Sequence, residues 1–357
     1  MAATTTTTTA EKGPFTLTLN NGLELTVQSN DPIDADEIPV IDISGIYSEN
    51  LEDRKAVAEK IREAAHRIGF FYIIGHGIDQ KYIDGTFSQA KRFFELPIEK
   101  KMEVCTDKVP EAYFGYFPMA RYNRNQKKLN DLMEAYNWGY NPEYDEEAKN
   151  KEAVKTEFDQ LWPRDVPGFK EALYEHHSKL LSLARRMVRV FALALHLPEN
   201  FFDDYVDRPE AAMRIAHYPQ QEASSLDQLG IGAHTDFECF TLLTQDHNGG
   251  LEVLSKSGYW INAKPIPGAM VVNIADCLMR QTNDYFVSTV HRVVNKTGAE
   301  RYSCPFFFGF NKDKKLEPVP TCVSEENPMK YPIMSTGDYL KERAAKSKSS
   351  ATATKAA

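Results

Sequence analysis

Five side chains between Gly232 and Phe310 carry the chemistry this chain can do. His234 and Asp236 stand two apart in Gly232-Ala-His-Thr-Asp236, so in an extended strand they leave the same face. A second imidazole, His291, lies far along the chain in Thr289-Val-His-Arg-Val293. Two imidazoles and one carboxylate form a facial ligand set, which leaves the remaining positions of an octahedral iron open. Arg301 and Ser303 follow ten residues after His291 and are again two apart. On one strand face, a guanidinium fork can take a carboxylate in two parallel hydrogen bonds and the hydroxyl can add a third. A metal-chelating keto acid, gripped at its far end, fits that arrangement.

An HxD pair alone is common by chance. The order HxD, distal His in a Val-His-Arg-Val strand, then RxS is far more specific. On those residues the chain resembles the iron- and 2-oxoglutarate-dependent dioxygenases, and within them the branch similar to isopenicillin N synthase and the plant flavonoid oxygenases. The likeness runs from about Ile38 to Arg343. Its further marks include Ile38-Pro-Val-Ile-Asp42, Gly69 to Gly77, Phe93-Phe-Glu-Leu-Pro97, Trp162-Pro163, His217-Tyr-Pro219, Gly249-Gly-Leu-Glu-Val253, Asn273-Ile-Ala-Asp276 and Thr282-Asn283.

The resemblance implies a mainly β protein with flanking helices and a double-stranded β-helix (jelly-roll) core. It implies Fe(II) on His234, Asp236 and His291, with 2-oxoglutarate as co-substrate held by Arg301 and Ser303, and O2 as oxidant. Tyr218 matches the family tyrosine that hydrogen-bonds the co-substrate. Ala216 stands where the family has Asn, so one co-substrate contact is absent or replaced. The implied reaction couples oxidative decarboxylation of 2-oxoglutarate to C–H oxidation of a small metabolite, as in secondary metabolism: hydroxylation, desaturation or ring closure. Three other readings stay open. In a 2-oxoglutarate-independent iron oxidase, Arg301 and Ser303 would hold the substrate's own carboxylate. A His2Asp zinc hydrolase would leave the RxS pair unexplained. A non-catalytic binding protein on the same scaffold would be marked by a lost metal ligand, and all three are present.

The 357 residues carry a net charge of −9 with 42% hydrophobic and 26% charged residues. Those proportions suit a globular protein and argue against a general nucleic-acid or anionic-membrane surface. Five scattered cysteines without a CxxC, and a start lacking a secretory leader, indicate a reducing compartment, the cytoplasm. Cys239, three residues past Asp236, reads as a buried inert thiol.

Four regions follow. Residues 1–37 are a Thr-rich disordered tail plus a β-hairpin, read from alternating Phe15, Leu17, Leu19 and Leu23, Leu25, Val27 around Asn21-Gly22. The hairpin's apolar face must lie on the main domain or on a second subunit, the latter making a homodimer. Residues 38–160 are an N-terminal α/β region whose aromatic stretch, Met102 to Val154, reads as loops covering the substrate. Tyr116, Phe117 and Arg121 are its candidate contacts, the alternative being that they pack this region onto the barrel. Residues 161–343 hold a bracing helix from Gly168 to Leu197, the jelly roll and a closing segment with a short helix ending near Arg343. Residues 344–357 are a disordered tail. Arg280, beside Gln281 before Thr282-Asn283, is a fourth candidate substrate contact. Arg121 or Arg280 would fix a carboxylate or other polar group, unless both are solvated loop arginines.

Overall fold

Asn21 and Gly22 close the first hairpin, β1 (Phe15–Thr18) with β2 (Glu24–Val27), where Phe15 stands opposite Val27. Gly22 takes φ 85°, which a side chain would resist. The computed structural model describes residues 13–353 apart from 20, 36, 110–112, 120–130, 149–150, 152–156, 222–227 and 296. The N-terminal tail and Arg121 therefore lie outside the described residues.

A parallel pair comes next, β3 (Val40–Asp42) with β4 (Phe70–Ile74), joined through α1 (Leu51–Arg67). Asn50 caps α1 by accepting from the Glu52 N–H at 3.1 Å; Glu52 and Asp53 open the helix and Arg67 closes it, all favourable to its dipole. Helix α2 (Gln80–Phe94) starts where Asp79 caps it, its side chain accepting from the Lys81 N–H at 3.0 Å. After α3 (Ile98–Met102), the stretch expected to be loops forms two strands, β5 (Gly115–Phe117) and β6 (Glu134–Trp138). Every residue of β6 is buried, so its sequence shows no alternation to betray it. The bracing helix is α4 (Phe169–Ala194).

The core strands are β7 (Glu210–Tyr218), β8 (Ile231–His234), β9 (Phe240–Gln245), β10 (Leu251–Leu254), β11 (Trp260–Asn262) and β12 (Met270–Ile274). Then come α5 (Asp276–Gln281), β13 (His291–Val293), β14 (Arg301–Gly309), β15 (Lys315–Leu316), β16 (Met334–Ser335) and α6 (Thr336–Ala353). One sheet runs β3-β4-β12-β9-β14-β7-β6-β5 and the facing one β11-β10-β13-β8. This is the expected jelly roll, with N-terminal strands extending both edges of its larger sheet.

Three apolar layers hold it. Between the sheets, Phe70, Tyr72, Phe117, Ala216, Tyr218, Leu243 and Val271 meet Ile231, Val253, Ile261 and Val293. The outer face of the large sheet packs on α1, α2 and α4 through residues such as Ile61, Phe93, Leu180 and Phe306. On the outer face of the small sheet, Val27, Leu17 and Leu25 of the hairpin pack against Ala233, Leu254, Trp260 and Val290. The hairpin's apolar face is thus covered by its own chain, and no second subunit is needed to cover it.

The closing helix is longer than expected: α6 continues from Arg343 to Ala353, into the segment read as a disordered tail. All five cysteines are free, and among the described residues no helix is long and apolar enough to cross a membrane.

Candidate metal centre and anion pocket

The first metal-binding candidate is aimed by a β-bulge. In the β8–β13 ladder His234 stands opposite His291 and Ile231 opposite Val293, so three steps on one strand match two on the other. The extra residue brings both Ile231 and His234 to the inner face, where an even pleat would have set them apart. Asp236 lies past the end of β8, not in an extended strand as expected. Its orientation is set by hydrogen bonds: Oδ2 accepts from the Thr241 hydroxyl at 2.6 Å and from Asn273 Nδ2 at 2.8 Å. Thr241 and Asn273 are cross-strand partners on β9 and β12.

Each histidine is held by its other ring nitrogen. His234 Nδ1 lies 2.8 Å from the Gly232 carbonyl and His291 Nδ1 lies 3.1 Å from that of Thr289. A carbonyl only accepts, so both Nδ1 atoms carry the proton and both Nε2 lone pairs remain for a metal. Asp236 Oδ1 is 3.7 Å from each Nε2, and the three donor atoms lie within 4.8 Å of one another. Bonds of about 2 Å from one ion reach all three. The neutral imidazoles and carboxylate suit Fe(II) and leave positions open.

The candidate anion site lies in the same barrel. Arg301 is 1% exposed and faces Tyr218 across the β14–β7 ladder, its guanidinium carbon 4.8 Å above the tyrosine ring. One terminal nitrogen donates to Gln245 Oε1 at 3.1 Å. Nε and Nη1 are buried with no hydrogen-bond partner among the described residues. A buried cation with unmet donors is costly, and a carboxylate is a group that could meet them. Ser303 shares the inward face, in a row Phe117-Ala135-Ala216-Ser303-Gln245 across the sheet. The two alanines are the smallest side chains in that row and are fully buried. Gly230 is needed here, since a Cβ on it would sit 2.6 Å from Tyr218 Cδ1.

The substrate candidates divide. Phe117 joins the barrel interior. Tyr116 points the other way, because neighbours along a strand face opposite sides, and takes the packing alternative. Its hydroxyl donates to Glu134 at 2.6 Å within a buried group completed by Lys101 and His217. Burial and that carboxylate raise the Tyr116 hydroxyl well above the ordinary phenol range. Arg280 is not a substrate contact either: it donates to the Pro332 carbonyl at 3.2 Å and lies 4.5 and 4.9 Å over the rings of Tyr331 and Tyr339, clamping the closing segment. Burial raises the Cys239 thiol far above its ordinary value, as expected of an inert thiol.

Sequence reasoning missed four inward polar residues: Thr241, Asn273, Gln245 and Arg214. Arg214 donates to Asn137 at 2.9 Å and its guanidinium carbon lies 5.8 Å from the centre of the Phe117 ring. The available signal was the period of two, which puts Arg214 on the face of Ala216 and Tyr218.

Residues 38–165 match the family described as non-haem dioxygenase in morphine synthesis N-terminal, and residues 209–310 match the 2OG-Fe(II) oxygenase superfamily. The chain is 38% identical over 326 residues to the 2-oxoglutarate-Fe(II) type oxidoreductase ppzC of Metarhizium majus, covering 86% of each. It is 35% identical over 320 residues to hxnY of Emericella nidulans, covering 85% of this chain and 88% of that one. Among solved structures, full-length Neurospora crassa T7H with alpha-KG and thymine is similar with a TM-score of 0.77 at 30% identity, covering 88% of this chain and 98% of that one.

Proposed function

This chain belongs to the 2OG-Fe(II) oxygenase superfamily, and from that premise we propose which of its side chains do the work. The enzyme is a non-haem iron oxygenase that couples oxidative decarboxylation of 2-oxoglutarate to C–H oxidation of a small molecule. When bound, Fe(II) with 2-oxoglutarate and O2 supplies the oxidising power.

His234, Asp236 and His291 hold the metal, with Thr241, Asn273 and two backbone carbonyls fixing the direction of each ligand atom. Arg301 and Ser303 take the far carboxylate of the co-substrate. The Tyr218 ring packs against the Arg301 guanidinium. The observation that carries this reading is the pair of buried Arg301 nitrogens, without a hydrogen-bond partner among the described residues, in the barrel that also holds the three-ligand cluster.

The substrate enters over the row of small side chains, Ala135 and Ala216, with Phe117 excluding water on one side. Arg214, with Asn137 beside it, meets an oxygen acceptor or carboxylate of the substrate. A planar, oxygen-bearing metabolite suits an arginine beside an aromatic ring, and the thymine named with the Neurospora crassa T7H structure is of that kind. Five cysteines without a disulfide support a reducing compartment, the cytoplasm.

Anaerobic titration with Fe(II) and then 2-oxoglutarate is the test, with a weak visible charge-transfer band expected only when both are present. Succinate release, screened over oxygen-bearing metabolites, identifies the substrate. Oxygen uptake that ignores 2-oxoglutarate would instead favour an oxidase holding the substrate's own carboxylate on Arg301 and Ser303.

A further inference from the structure

Thr235, the residue between two of the proposed metal ligands, is tied to the far end of the chain. Arg343 of α6 donates to the Thr235 hydroxyl oxygen at 3.2 Å and lies 2.8 Å from Asp276 Oδ2 in an ion pair. Its guanidinium carbon also lies 4.6 Å from the centre of the Phe237 ring, just past Asp236. Asp276 in turn accepts from the hydroxyls of Ser288 at 2.7 Å, Thr235 at 3.2 Å and Tyr339 of α6 at 3.2 Å. Its backbone N–H donates to the Asp236 carbonyl at 3.0 Å, and that of Cys277 donates to the Glu238 carbonyl at 2.9 Å. The ion pair is nearly dry, with side chains 12% and 6% exposed.

Asp236 stands outside any strand, so no sheet ladder holds its backbone. What surrounds the segment Thr235 to Glu238 instead is this network, and two of its members, Arg343 and Tyr339, come from the closing helix. The geometry points to α6 as a latch on the metal-binding turn. Arg343 is a positioning residue that acts on the metal through Thr235, Asp276 and the Asp236 backbone, so docking of the helix and binding of the metal strengthen each other. Reciprocity follows from linkage: if docking raises metal affinity, metal must tighten docking by the same factor. Arg280, over the rings of Tyr331 and of Tyr339 on α6, also contacts the same helix.

The inference rests on His234, Asp236 and His291 being the metal ligands. The test measures Co(II) affinity of the full chain by its visible absorption, without any turnover, for wild type, Arg343→Ala, Arg343→Lys and Lys341→Ala. Removing an outer support of a metal ligand weakens binding by about tenfold to a hundredfold, and the low end is expected for Arg343→Ala because it acts one residue removed. Arg343→Lys, which keeps the charge with a single donor group, is expected to fall between. Lys341 is exposed on the same helix, so Lys341→Ala should bind as wild type does. Trypsin supplies the reciprocal readout: Co(II) should slow cleavage within α6 in wild type and not in Arg343→Ala. Unaltered affinity in folded Arg343→Ala or Arg343→Lys, or cleavage of wild type indifferent to Co(II), overturns the latch while leaving the ligands in place. Failure of wild type to bind Co(II) at all overturns the ligand assignment and the latch with it.

Discussion

Replacing Arg301 by methionine separates a co-substrate anchor from a structural cation. The side chain is 1% exposed, and its Nε and Nη1 have no hydrogen-bond partner among the described residues. Two hydrogen bonds to a carboxylate would contribute about 1.5–3 kcal/mol each, so losing both raises the 2-oxoglutarate Kd by about a hundredfold or more at 1.4 kcal/mol per tenfold. The protein alone should lose little. Methionine still covers the Tyr218 ring, and removing an incompletely paired buried charge offsets the bond lost at Gln245. The assay is thermal unfolding with Mn(II) in place of Fe(II), with and without 2-oxoglutarate. At a hundredfold excess over Kd the wild type gains about 2.7 kcal/mol, a rise of roughly 5 °C at about 2 °C per kcal/mol. At the same concentration Arg301→Met should gain under about 0.5 kcal/mol, near 1 °C. Without ligand its Tm should match or exceed that of wild type. A full ligand shift in the variant refutes the anchor. A ligand-free loss of about 3–5 kcal/mol, the cost of breaking a satisfied buried pair, would mean that the cation is already paired inside the chain.

The other predictions address the ligand supports, the substrate and the fold. Asn273→Ala should weaken Fe(II) or Co(II) binding by about tenfold to a hundredfold with little change in Tm, because it removes one of the two donors that aim Asp236; calorimetric titration checks it. Arg214→Gln should raise the KM for the screened substrate by at least about tenfold while the 2-oxoglutarate KM stays put, and equal changes in both would contradict its placement opposite the substrate. Glu134→Gln should destabilise the protein by about 3 kcal/mol at neutral pH, because the carboxylate receives Lys101, Tyr116 and His217 in a buried group. Burial pushes the Glu134 carboxyl upward, but those three partners outweigh it and hold it below the ordinary carboxylate range. Its contribution is therefore present above the unfolded value, near 4.5, and is lost as pH falls through the lower folded value. Denaturant melts across that acid window should be steeper in pH for wild type than for the variant.

How much could be read in advance differs from residue to residue. Arg301 and Ser303, two apart on a regular strand, face inward together as their spacing implies, because the pleat has a period of two wherever the ladder is unbroken. The hairpin around Asn21-Gly22 was legible for the same reason. His234 and Asp236 came together by another route than their spacing suggested: a bulge turns one and hydrogen bonds from Thr241 and Asn273 aim the other. Tyr116 stayed open between substrate contact and packing, and Arg280 between substrate contact and solvated loop arginine, because position near a motif says nothing about which way a side chain points.

By itself the sequence determined the kinds of group available and their local periodicity: three metal-binding side chains, an arginine–serine pair and the alternating strands that carry them. Those properties live in residue identity and short-range geometry. Only the tertiary structure decided that Phe117 joins Arg214 and Tyr218 in the barrel interior, that β5 and β6 are strands, and that the closing helix reaches Thr235. Each of these depends on partners up to about a hundred residues away, and such contacts are set by which buried faces find one another, a choice that no short stretch of sequence contains.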